Sequence, residues 1–131
     1  MKKKILLVDD DKDFLEGTRI ILEENNFEVA TATDGRQCLD KLNSFKPDLL
    51  ILDIMMPEKS GFDVCKEIKS SVEYNKIPVI MLTALKKKLG QTSYSVAQGL
   101  ELEAEDYIDK PVDPKELVSR INNLLQKVQK E

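Results

Sequence analysis

Leu49-Leu50-Ile51-Leu52-Asp53 is a run of four aliphatic residues that ends on a carboxylate. It has no apolar–polar alternation, so a strand made from it has no face for water. Helices must then lie on both sides, and sheets covered in that way are characteristically parallel. The acid is left at the carboxyl end of the strand, where such sheets bind their ligands.

Two other runs share this character, Ile5-Leu6-Leu7-Val8 before it and Val79-Ile80-Met81-Leu82 after it. Glu28-Val29-Ala30-Thr31-Ala32 and Asp106-Tyr107-Ile108 complete a set of five, separated by longer segments of helical period. Alternating strands and helices predict an α/β fold with a five-stranded parallel sheet, strands 1, 3 and 4 being central.

The helices carry start signals in Asp11, Asp34, Ser60 with Asp63, and Asp113-Pro114 with Glu116. In the last helix Leu117, Ile121, Leu124, Leu125 and Val128 make one apolar stripe, which leaves Lys115, Arg120, Asn123 and Lys127 to water. The fourth helix is the least regular. Gly90 and Gln91-Thr92-Ser93-Tyr94-Ser95 interrupt the pattern before Val96, Ala97 and Leu100, and a long loop is expected near 84–92.

A chain of 131 residues, 41% hydrophobic and 34% charged, suits a single domain spanning 1–131. No apolar run approaches the roughly 20 residues needed to cross a bilayer. Lys2-Lys3-Lys4 leads into a short strand rather than a signal-peptide core, so a soluble, cytoplasmic protein without membrane contact is expected. The net charge of −4 gives no broad hold on nucleic acid, and Lys86-Lys87-Lys88 is too short to supply one. Cys38 and Cys65 fall on apolar helix stripes without metal-ligand spacing, as small reduced core residues do. The chain has 0 histidines, which leaves its chemistry to carboxylates, Lys and Thr.

The residues that follow the strands are the informative ones. Asp9, Asp10 and Asp11 follow strand 1, Asp53 ends strand 3, Thr83 follows strand 4, and Lys110-Pro111 follows strand 5. Taken singly, each has an ordinary explanation as a helix cap or a solvated charge. Taken together, carboxylates converging on one sheet edge repel one another unless a cation joins them. Asp11 is assigned to capping, with Asp9 and Asp10 turned to the site. A hard, oxygen-ligated ion is implied. Mg²⁺ fits because it takes a few carboxylates and keeps open positions, and Mn²⁺ is expected to substitute. Asp53, expected to be ionised at neutral pH from a reference pKa of about 3.9, is a carboxylate nucleophile for phosphorus. The cation, the Lys110 ammonium and the Thr83 hydroxyl would share the charge of the phosphoryl oxygens.

Four segments in order, 5–11, 52–57, 79–84 and 107–111, resemble the receiver domains of two-component response regulators over essentially the whole chain. The resemblance implies a (βα)₅ doubly wound sheet of flavodoxin-like strand order 2-1-3-4-5. It implies that Asp53 is the phosphoacceptor, and that Asp9, Asp10, Asp53 and the backbone carbonyl of Met55 hold the metal. Gly61 matches the glycine of the loop after the acceptor. Lys110, followed by a cis bond to Pro111, contacts the phosphoryl group. Thr83 and Tyr107 form the switch, which alters a face built from the fourth helix, fifth strand and fifth helix.

By the same resemblance the domain catalyses only its own phosphorylation and dephosphorylation. Its donor is a histidine kinase or a histidine phosphotransfer domain, and its target is an effector protein or an output domain absent from this chain. It is a monomer or a dimer formed on phosphorylation. Two departures concern the fourth helix: the stretch from Thr83 to Lys110 is longer than the family norm, and Glu103 stands where a glycine is common.

Three rivals fit less well. A haloacid-dehalogenase phosphatase wants a second Asp two residues after its nucleophile, where this chain has Met55. A flavin-binding module wants a phosphate loop rich in Ser, Thr and Gly after strand 1, where Asp9-Asp10-Asp11 would repel phosphate. A degenerate receiver acting only through protein contacts would have lost an acid, the Thr or the Lys.

Overall fold

A computed structural model describes residues 2–56, 59–83 and 104–130, the side chains of 128–130 excepted. The loop near 84–92, the expected fourth helix and the Val128 side chain lie outside the described residues.

The strands are β1 (Lys3–Val8), β2 (Phe27–Ala32), β3 (Leu49–Asp53), β4 (Val79–Thr83) and β5 (Asp106–Asp109). They form one sheet in the order β2-β1-β3-β4-β5, and every neighbouring pair is parallel. Around it lie α1 (Lys12–Glu24), α2 (Gly35–Phe45), α3 (Gly61–Lys69) and a C-terminal helix, Pro114–Lys130.

Strand periodicity explains why the central runs show no polar positions. Successive side chains point to opposite faces, and both faces here are roofed. Leu6, Val8, Leu50, Leu52, Val79 and Met81 pack with Cys38 and Leu42 of α2 and with Val64, Cys65 and Ile68 of α3. Ile5, Leu7, Leu49, Ile51, Ile80 and Leu82 pack with Leu15 and Leu22 of α1 and with Leu117 and Ile121 of the C-terminal helix. Two cores thus share one sheet, and the strands' carboxyl ends are aligned in register between them.

The helix starts follow the capping residues. Asp11 accepts from the N–H groups of Asp13 and Phe14, Asp34 from Gln37 and Ser60 from Asp63. Asp113 accepts from Lys115 at 3.0 Å. Both cysteines are buried and free, and burial pushes the Cys38 thiol up to about 12.

Arg120 departs from the expected pattern. Instead of facing water it is half-buried, and it donates to Asp106 at 2.7 Å and to the carbonyl of Tyr107 at 3.1 Å. The apolar stripe located the helix face that meets the sheet, and the long guanidinium at its margin reaches past that face to the edge strand. β5 is also fastened at its start. Lys69, whose side chain is only 7% exposed, donates to the carbonyl of Ile77 at 2.8 Å and pairs with Glu105. Glu105 in turn brackets the start of β4 through the N–H and carbonyl of Val79. A four-residue edge strand is thereby held in place, and Lys110 with it.

Candidate functional site

The order of the sheet reverses between β1 and β3, and Asp9 and Asp53 stand at the carboxyl ends of these adjacent strands. This is the position at which open parallel sheets form their ligand crevice. Asp9 is fully buried. Its Oδ1 accepts the N–H of Asp11 at 3.0 Å and its Oδ2 accepts from Lys110 Nζ at 2.6 Å. Asp53 is 4% exposed, and its Oδ1 accepts the N–H of Met55 at 3.3 Å. Asp10 is exposed at the rim. Asp9, Asp10 and Asp53 each bring a carboxylate oxygen within 4.8 Å of the others.

Lys110 reaches the acids from the other side. Its N–H donates to the carbonyl of Thr83 at 2.8 Å, and the Lys110–Pro111 peptide is cis, as expected. Its Nζ lies 3.7 Å from Asp53 Oδ1, close to bridging the two buried carboxylates. Burial works against the ammonium, yet its hydrogen bond to Asp9 and the charges of Asp53, Asp9 and Asp10 prevail, and its pKa rises. It stays protonated.

One ammonium does not balance three acids. Burial, and after it the charge of Asp9, push the Asp53 carboxyl up to about 7, against the pull of Lys110 and the Met55 N–H. In the absence of any further cation this carboxyl holds its proton well above the usual carboxylate range. The donor set is all oxygen, without the sulfur or imidazole that would favour zinc or copper. The residues present therefore fit a hard divalent ion, whose charge would relieve the repulsion.

Thr83 closes β4 and is buried. Tyr107 is half-buried on β5 against the core shared with α2 and α3, and burial first of all raises its hydroxyl pKa. Gly61, the first residue of α3, donates to the carbonyl of Ile54 at 2.9 Å. A Cβ on Gly61 would lie 2.2 Å from the carbonyl oxygen of Asp53, so its bare Cα lets α3 abut the backbone that carries the acid. Asp11 caps α1, as expected. The sequence reading thus brought together Asp9, Asp10, Asp53 and Lys110. It missed Phe14, whose ring lies under Lys110 and whose place in an ordinary apolar helix stripe gave no signal.

A family model described as the response regulator receiver domain matches residues 5–122. The chain belongs to that family. The receiver is 37% identical over 127 residues to the alkaline phosphatase synthesis transcriptional regulatory protein PhoP of Bacillus subtilis, covering 97% of this chain and 50% of that protein. It is 39% identical to the DNA-binding response regulator MtrA of Mycobacterium tuberculosis, covering 97% of this chain and 52% of that protein. It therefore spans about half the length of these curated relatives.

Among solved structures, the receiver resembles the signal receiver domain of a signal transduction histidine kinase from Syntrophus aciditrophicus. The TM-score is 0.88 and the identity 33%, over 98% of this chain and 94% of that one. The strand order anticipated for the family is the order observed. Glu103 and most of the lengthened stretch after Thr83 fall outside the described residues. No helix among the described residues is long and apolar enough to cross a membrane.

Proposed function

We propose that this receiver accepts a phosphoryl group on Asp53 from a phosphohistidine donor, in a reaction that depends on a divalent cation. The observation that carries the reading is the gathering of Asp9, Asp10 and Asp53 within 4.8 Å beside the Lys110 ammonium at the switch point of the sheet.

Asp53, ionised, attacks phosphorus through a carboxylate oxygen as the bond to the donor nitrogen breaks, which leaves an acyl phosphate. Asp9, Asp10, Asp53 and the Met55 carbonyl are the ligands assigned to Mg²⁺, with Mn²⁺ as a substitute. When bound, the ion supplies charge neutralisation for the carboxylates and for the phosphoryl oxygens. Lys110 stands to exchange part of its bond with Asp9 for one to the phosphoryl group, and the Thr83 hydroxyl is assigned to another of its oxygens. That movement of Thr83, with inward rotation of Tyr107, would shift the population of the output face. The domain acts on no other substrate.

A histidine kinase or phosphotransfer domain is the partner upstream. Downstream stands an effector protein or an output domain. The relatives, which extend beyond the matched region, are named as a transcriptional regulatory protein and a DNA-binding response regulator, and this favours the output domain. Binding of nucleic acid would then belong to that output domain and not to this acidic one. The cytoplasm is the compartment assigned, and a monomer or a phosphorylation-dependent dimer the assembly.

Incubation with Mg²⁺ and phosphoramidate is expected to add one phosphoryl group, located at Asp53 by peptide mass spectrometry. Asp53→Asn should abolish it, and removal of the metal with a chelator should do the same. Undiminished labelling in Asp53→Asn would refute the assignment.

The acidic triplet separates into two roles by mutation. Asp10→Ala should greatly weaken Mg²⁺ affinity with little change in metal-free stability. Asp11→Ala should cost about 1 kcal/mol of stability through the lost cap and leave Mg²⁺ affinity nearly intact. Metal titration and urea unfolding of both variants check this.

A further inference from the structure

Lys110 has a neutral contact that the acidic site does not account for. Its Nζ lies 4.8 Å from the centroid of the Phe14 ring, within the range in which an ammonium is drawn to the negative face of an aromatic ring. Phe14 is half-buried and packs against the core under α1. For packing alone, leucine would serve in its place. What leucine lacks is the ring face.

The contact closes a circuit. The Phe14 N–H is held by Asp11 Oδ1 at 3.2 Å, the Asp11 N–H by Asp9 Oδ1 at 3.0 Å, and Asp9 Oδ2 by Lys110 at 2.6 Å. The cap that starts α1 therefore also holds the backbone of the residue whose ring carries the Lys110 ammonium. We propose that Phe14 is a positioning residue for Lys110, a neutral pivot that holds the ammonium between Asp9 and Asp53. The proposal rests on the reading of Asp53 as the acceptor.

The physical reason is the lysine side chain itself. Four rotatable carbons carry a compact charge that water competes for. An anion holding the ammonium in place would spend its charge, whereas a ring face attracts it and leaves its N–H donors for oxygens. In the structure Nζ is 2.6 Å from Asp9 and 3.7 Å from Asp53. A phosphoryl group on Asp53 moves the balance of negative charge to that side. Lys110 then swings toward it with the ring beneath it throughout, rather than leaving for solvent.

The test uses the full chain with Mg²⁺ and phosphoramidate, comparing the rate of Asp53 labelling in wild type, Phe14→Leu and Phe14→Tyr. Phe14→Leu is expected to slow labelling roughly 3- to 10-fold, and Phe14→Tyr, which keeps the ring, to retain most of the rate. A second measurement does not depend on activity. The Lys110 side-chain methylene protons nearest the ammonium should be shifted upfield by the ring in wild type and Phe14→Tyr, and should lose that shift in Phe14→Leu. Labelling of Phe14→Leu at the wild-type rate, equal slowing by Leu and Tyr, or methylene resonances unchanged by Phe14→Leu would each overturn the proposal. Should wild type itself not be labelled at Asp53, the acceptor reading fails, and the resonances still decide whether the ring holds Lys110.

Discussion

Lys110→Met is expected to reduce phosphoryl labelling of Asp53 by at least about 100-fold, the usual scale for losing a preorganised group that meets developing charge. It should also destabilise the metal-free protein by about 2 kcal/mol, because Asp9 is fully buried and would be left without its counter-charge. The expected loss is placed below that of a wholly buried pair because the Lys110 side chain is itself 26% exposed. The two effects separate on adding Mg²⁺. The ion should restore much of the stability, since its charge also neutralises the acids, but not the labelling, in which the Lys110 ammonium is proposed to meet the phosphoryl oxygens itself. Urea unfolding with and without Mg²⁺, alongside labelling rates, tests both. Labelling close to the wild-type rate would remove Lys110 from the account.

Gly61→Ala is the second large effect. The added methyl would stand 2.2 Å from the Asp53 carbonyl oxygen and 2.8 Å from the Ile54 Cα. Both are backbone atoms, and both belong to the segment that carries Asp53. No described glycine has positive φ, so the requirement at Gly61 is for space and not for an unusual conformation. Relief means moving α3 or the end of β3, which carries the hydrogen bond from the Ile54 N–H to Leu82. A loss on the order of 3 kcal/mol is expected, with slower labelling in whatever protein remains folded, because Asp53 moves with its backbone. Chemical denaturation and labelling together check it; a change in stability of under about 0.5 kcal/mol would show that the backbone yields freely there.

Much of this was legible in the residues because the central strands are apolar on both faces. Period two divides Ile5 and Leu7 from Leu6 and Val8, and a sheet roofed on both sides accommodates such a run. The chemistry was legible for a related reason: the strand ends fall in register, so Asp9 and Asp53, 44 residues apart in sequence, become neighbours once the strands pair. Resemblance then supplied the strand order and the role of each residue.

What stayed hidden were contacts made sideways across elements. Arg120 read as a solvent residue because helical periodicity assigns a face but not the reach of a long side chain at its margin. Lys69 and Glu105, 36 residues apart, share no sequence motif, and only the fold brings them together. Gly61 was recognisable as a family glycine, but its cause, the close approach to Asp53, exists only in three dimensions. Phe14 resembles any core phenylalanine in the sequence and acquires its interest from the ammonium above it.

The central claim is that three acids share one cation, and the titration of the Asp53 carboxyl tests it most directly. Without metal its pKa in the folded chain is raised from 3.8 to about 7. Between those values the folded state holds a proton that the unfolded state has released, so metal-free stability should fall as pH rises from about 4 to about 7 and level off above. The carboxyl carbon resonance of Asp53, assigned by its loss in Asp53→Asn, should titrate near neutrality without metal and drop well below that range once Mg²⁺ is added. A carboxyl that titrates as an ordinary aspartate in both conditions, indifferent to Mg²⁺, would contradict the shared-cation site.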